Sequence, residues 1–124
     1  MAQEPRGVID SLRDLREPGQ PDPLAELIEL FLRDARPRLA DMHAAAAAGN
    51  WSKVGAGAHA LKGSASNLGA QRLSNLCFSL ERLAGDGKLA EAADLFGQVT
   101  EEYGRVCFVL EHERKKPIKS LESD

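Results

Sequence analysis

The residues best placed to do chemistry lie in one stretch, HALKGSASNLGA, residues 59–70. Imidazole is the one common side chain that is both nucleophilic and largely neutral near pH 7. A neutral ring nitrogen of His59 can attack the phosphorus of an acyl phosphate and hold the group as a reactive phosphoramidate. No triad is needed, because such a group arrives already activated. The site must supply access and some compensation for added negative charge. On a helix turning about 100° per residue, Val54, Ala58, Leu61, Ala65 and Leu68 share one apolar face, and His59 falls about 140° from its middle. Ser52, Gly55, Ala56, Lys62, Gly63 and Ser66 share the histidine's side. Lys62 is one turn from His59, within reach of a phosphate on the exposed ring nitrogen. Gly63, at i+4, leaves space for that phosphate and for a partner, and Gly55 and Ala56 keep the same face low. Ser66, two turns on, can hydrogen-bond to phosphoryl oxygens or bridging water. Gly63 costs about 1 kcal/mol relative to alanine in mid-helix, and Gly55 and Gly57 repeat that cost. Glycine tolerated there points to something approaching the backbone closely.

Each of these residues also has a plainer reading. A lone helix histidine is usually a surface residue, a lone lysine a solvated charge, and Ser66 an ordinary surface serine. His43 reads as a half-buried packing histidine. His112 sits near a helix C-terminus, where positive charge is favoured.

The elements that must hold this face are helical. Alanine and leucine dominate, aromatics make up 5% of the 124 residues, and β-branched residues are scarce, a balance that favours helix over sheet. A short helix is expected over 8–16, carried by Val8, Ile9, Leu12 and Leu15, and then a proline-rich linker with Pro18, Gly19, Pro21 and Pro23. Asp22 followed by Pro23 reads as an N-cap with proline at the first helical position. The long helix behind it presents Leu24, Leu27, Ile28, Phe31, Ala35, Leu39, Met42 and Ala46 on one face. Pro37 removes a backbone bond inside it, so a bend or a stop and restart is expected there. Gly49 and Asn50 end it. Trp51 opens the histidine helix, with Ser52 as candidate cap, and Gly69 closes it. A helix over 71–84 turns inward Leu73, Leu76, Cys77, Leu80, Leu83 and Ala84. A Gly85-Asp86-Gly87 turn leads to a last helix over 89–113, and 114–124 reads as a solvated tail. Cys77 and Cys107 lie on apolar stripes and read as reduced core cysteines. Four amphipathic helices joined by short loops imply an antiparallel up-and-down bundle with a short extra N-terminal helix, a single domain over 1–124 with its ordered core at about 8–113.

The stretch HALKGSASNLGA resembles the signature of histidine-containing phosphotransfer (HPt) domains, H-x-L-K-G-S followed by G-A. The resemblance extends outward: residues 31–39, FLRDARPRL, resemble the family's F-L-x-D-x-x-P-R-L helix, and 76–81, LCFSLE, its L-C-x-x-L-E helix. It thus covers most of residues 8–110. It implies the same bundle, with His59 as the phosphorylated nucleophile, and a role as carrier in a phosphorelay. The expected partners are a response-regulator receiver domain, a hybrid histidine kinase, or both. The acceptor aspartate and Mg²⁺ would belong to the receiver, and no cofactor is expected on this chain.

What is missing narrows the reading. Neither a GxxxxGK[ST] loop nor a Gly-rich ATP lid is visible, so kinase activity of its own is not expected. A net charge of −3 gives no electrostatic reason for a nucleic-acid partner. No apolar run approaches the roughly 20 residues needed to cross a bilayer. With no leader at the start, a cytoplasmic monomer is expected. Two other functions remain open: a helical adaptor whose histidine is never phosphorylated, and a metal-binding bundle using His59 with His43. The second lacks an i+3 or i+4 ligand partner for His59.

Overall fold

The computed structural model describes residues 6–115, apart from the side chains of Arg6 and Val8. Five helices follow in order: α1 Arg6–Arg13, α2 Pro23–Ala47, α3 Trp51–Leu68, α4 Gln71–Gly85 and α5 Leu89–Lys115. The connections 48–50, 69–70 and 86–88 are too short for anything but antiparallel neighbours. The helices α2, α3, α4 and α5 form a closed ring, each packed on the next and α5 back on α2, while α1 packs on α2. This is the antiparallel bundle with an extra N-terminal helix that the periodicity implies.

The helix ends follow their capping chemistry. Asp22 accepts hydrogen bonds from the Leu24 and Ala25 amides at 3.0 and 3.2 Å, and Pro23 opens α2. Gly69 closes α3 in the left-handed conformation, with φ of 83°. The cap of α3 is Asn50, not Ser52: its side chain accepts from the Lys53 amide at 3.1 Å, and Trp51 is already helical. An amide oxygen at that position meets the third helical N–H. Pro37 does not make α2 stop and restart; the helix runs unbroken past it. Arg33 and Pro37 both lie on the exposed face, where water can take the carbonyl that the missing N–H leaves open.

The core is continuous along the bundle. Ile28, Met42, Leu61, Leu68, Leu73, Leu80, Val99 and Leu110 are among its fully or almost fully buried members. Leu27, Leu76 and Leu83 are only partly buried against it. The first helix ends before the expected 16, and Leu15 beyond it is exposed while Ile9 is buried. Periodicity did not reveal two buried acids. Glu102 on α5 is held by Arg105 and by Arg72 of α4, and Glu113 pairs with Arg13 of α1, so the expected end of α5 is tied down. The expected tail begins inside α5, and its part at 116–124 lies outside the described residues, as does the Val8 side chain. Cys77 and Cys107 are both free thiols.

Candidate functional site

The apolar stripe of α3 fixes which way His59 points. Val54, Ala58, Leu61, Ala65 and Leu68 are all buried, so the opposite side of the helix must face outward. The His59 side chain is 65% exposed. Its Nδ1 lies 3.0 Å from Oε2 of Glu81, which α4 presents across the α3–α4 seam. The other oxygen of the same carboxylate accepts from Lys62 Nζ at 3.2 Å. One acid thus holds both the histidine and the lysine one turn away. Desolvation pushes the Glu81 carboxyl up, but the hydrogen bond from Lys62 and the electrostatic attraction of His59 and Lys62 outweigh it. The group sits below the ordinary carboxylate value. It is an anion at neutral pH, and an anion only accepts hydrogen bonds. The proton of a neutral His59 ring therefore belongs on Nδ1 and the lone pair on Nε2.

Lys62 has a second contact from α4. Its Nζ lies 5.0 Å from the centroid of the Phe78 ring, and Arg82 approaches the same ring with Cζ at 5.8 Å. Around His59 the surface is low, with Trp51, Gly55, Ala56, Glu81 and Ala84 lining a shallow depression.

The glycines divide into two kinds. A Cβ on Gly63 would meet nothing within 4 Å, so this turn of the helix is open beside the histidine. A Cβ on Gly55 would touch the Ala84 Cβ at 3.5 Å, and one on Gly57 would overlap Met42 Cγ. What approaches the backbone at Gly55 and Gly57 is therefore the protein's own helices, α4 and α2.

Ser66 is placed away from the ring. It lies seven residues along α3 from His59, roughly 10 Å at the helical rise, and its hydroxyl pairs with that of Ser74 at 2.8 Å. Ser74 is buried and reaches the Lys62 carbonyl at 3.4 Å. The structure gives Ser66 an interhelical partner. His43 stacks on Phe96 with centroids 4.5 Å apart and lies 3.2 Å from the Thr100 hydroxyl. It is a packing histidine, though more exposed than expected. Among the described residues, no three His, Cys, Asp or Glu side chains gather as metal ligands, and no helix is long and apolar enough to cross a membrane.

Sequence reasoning assigned no role to Glu81 or Phe78. Both lie in the LCFSLE stretch that carried part of the resemblance, and that was the available signal.

Comparison with known proteins points to one family. Histidine-containing phosphotransfer protein 2 of Arabidopsis thaliana is 33% identical over 95 residues, covering 74% of this chain and 61% of that protein. Histidine-containing phosphotransfer protein 5 of the same plant is 36% identical over 83 residues, covering 61% of this chain and 53% of that one. The chain therefore spans less than two thirds of the length of these two relatives. The crystal structure of histidine-containing phosphotransfer protein B (HptB) from Pseudomonas aeruginosa PAO1 superposes with a TM-score of 0.77 at 32% identity, covering 92% of this chain and 94% of that one. The Hpt domain family matches residues 26–107, a span that contains all of α3 and α4 and with them His59, Lys62 and Glu81. The chain belongs to the Hpt domain family of histidine-containing phosphotransfer proteins.

Proposed function

We propose that the chain is a phosphorelay carrier in which His59 accepts a phosphoryl group from the aspartyl phosphate of one receiver domain and passes it to the aspartate of another. The observation that carries this reading is the pairing of His59 Nδ1 with Glu81 at 3.0 Å on a ring that is 65% exposed. The pairing keeps the proton on Nδ1 and leaves the Nε2 lone pair for attack. The Nε2–P bond forms as the bond from phosphorus to the acyl oxygen breaks, and the partner's aspartate leaves as a carboxylate. The ring, having given up its lone pair, becomes a phosphoimidazolium with the proton still on Nδ1. Glu81 is already in place to balance that positive charge. Lys62, one turn along, shifts its hydrogen bonding from Glu81 to the phosphoryl oxygens without leaving the His59 side, and the space over Gly63 admits them. Onward transfer is the same step reversed.

In this reading Mg²⁺ is held by the receiver and supplies charge neutralisation at the transferring phosphoryl group. Kinase activity belongs to a hybrid histidine kinase upstream, and this chain works as a cytoplasmic monomer without an ATP site. The test is incubation with phosphorylated receiver domains, followed by mapping of the modified residue. One acid-labile, base-stable phosphate on His59, absent in His59→Gln, is the expected result. Because an exposed side chain contributes little to stability, His59→Gln should melt within about 0.5 kcal/mol of the wild type. Phosphate uptake by the folded variant would move the site elsewhere, and no uptake by the wild type would leave the helical adaptor.

A further inference from the structure

Phe78 is hard to explain by packing. It is 47% exposed, so much of its apolar area stays in water. Its ring is nonetheless engaged, with the Lys62 ammonium at 5.0 Å and the Arg82 guanidinium at 5.8 Å from the centroid. Cations at about this range over an aromatic face are attracted by the ring quadrupole. Lys62 is therefore anchored twice by α4, once by the Glu81 carboxylate and once by the Phe78 ring. The two anchors differ in what phosphorylation does to them. Glu81 is shared with His59, and a positive imidazole ring draws its charge away from the lysine. The phenyl ring is neutral and loses nothing.

We infer that Phe78 is a positioning residue for Lys62: its ring face holds the ammonium beside His59, so that the cation stays in place when Glu81 gives it up to an arriving phosphoryl group. This rests on His59 being the phosphoacceptor. Without the ring, the long and flexible lysine stem is free to carry its charge into solvent.

A donor that needs no docking separates this role from partner binding. Phosphoramidate serves: Nε2 of His59 bonds to phosphorus as the P–N bond of the donor breaks, and its nitrogen, already protonated in the zwitterion, leaves as neutral ammonia with the bonding pair. The rate of phosphohistidine formation is measured for wild type, Phe78→Leu, Phe78→Trp, Lys62→Ala and the Lys62→Ala/Phe78→Leu double variant, with melting temperatures recorded for each. Phe78→Leu should slow formation about two- to fivefold. Phe78→Trp should retain the wild-type rate, because it keeps a π face. The double variant should be no slower than Lys62→Ala alone, because the two residues act through one contact. A folded Phe78→Leu protein with the wild-type rate overturns the inference. So does a loss that Phe78→Trp fails to rescue, or one that adds in full to that of Lys62→Ala. A wild type that takes no phosphate from the donor sinks the phosphoacceptor reading itself and this inference with it.

Discussion

Glu81→Gln removes one charge from the site while keeping the shape of the side chain. The amide oxygen can still accept from Nδ1 of His59, so the ring keeps its tautomer. What disappears is the anion facing a ring that turns positive as phosphorus is attacked. Two unit charges about 4 Å apart attract by ~1 kcal/mol in bulk water and ~4 kcal/mol at the effective dielectric of a protein surface. The ring here is 65% exposed and the carboxylate 33% exposed. That places the pair in the lower half of the range, at ~1–2 kcal/mol, or roughly five- to thirtyfold in the rate of acceptance. Glu81→Ala should cost more, since it also releases the tautomer. The assay is single-turnover transfer from a phosphorylated receiver domain at low and high salt, with ¹⁵N chemical shifts of the imidazole read in parallel. Salt should narrow the gap between wild type and Glu81→Gln. Equal rates for both at low salt, with an unchanged tautomer in Glu81→Ala, would refute the role given to this carboxylate.

The glycines of α3, the buried thiol of Cys77 and the pH dependence of Glu81 give further outcomes. Gly63→Ala should stabilise the bundle by up to about 1 kcal/mol, since its Cβ meets nothing within 4 Å; Gly63→Leu should stay folded yet slow transfer, and Gly57→Ala should destabilise by about 1–3 kcal/mol through Met42, all read by melting and transfer rate. Burial, partly offset by the Lys62 charge, pushes the Cys77 thiol from 9.0 up to about 12, so at pH 8 it carries about a thousandfold less thiolate than an ordinary cysteine. Quenched thiol labelling of the native protein should find it silent except through unfolding, and prompt labelling would contradict its burial. The Glu81 carboxyl lies below its ordinary value in the folded state, so its contribution to stability is present above that ordinary value and fades as pH falls through the lowered one. The melting difference between wild type and Glu81→Gln should therefore be positive at pH 6 and vanish in acid; a difference independent of pH would mean that the charge is not its source.

Residues that share a helix were legible together in the sequence. His59, Lys62 and Gly63 are neighbours by helical geometry alone, and the apolar stripe of α3 told which side they face. Glu81 was not legible in this way, because its place beside His59 depends on how α3 and α4 register against each other. That register is set by how the buried faces of the two helices fit together in the core, not by spacing along one chain segment. The same limit explains the glycines. A glycine on α3 announces a close approach but does not say whether a partner, α4 or Met42 makes it. Ser52 was read as the cap and Asn50 as the end of α2; both residue types cap helices, and only the position of the first helical turn separates them. Pro37 was judged by the bond it removes, whereas its exposure decided the outcome.

The four sides of the helical ring are not equally thick. The backbones of α3 and α4 approach each other most closely, while α2 and α5 stand further apart, with rings such as Phe31 and Tyr103 between them. A bundle joined in this way has its more widely spaced edge on the far side from His59. Opening along that edge exposes parts of α2 and α5 to solvent exchange while α3 and α4 stay paired. Backbone amides near His59 and Glu81 should then be the last to trade their hydrogens for deuterium, exchanging only when the whole bundle opens. On that expectation His59 and Glu81 belong to the slowest-exchanging part of the molecule, and the bundle can breathe without the imidazole losing its hydrogen-bond partner.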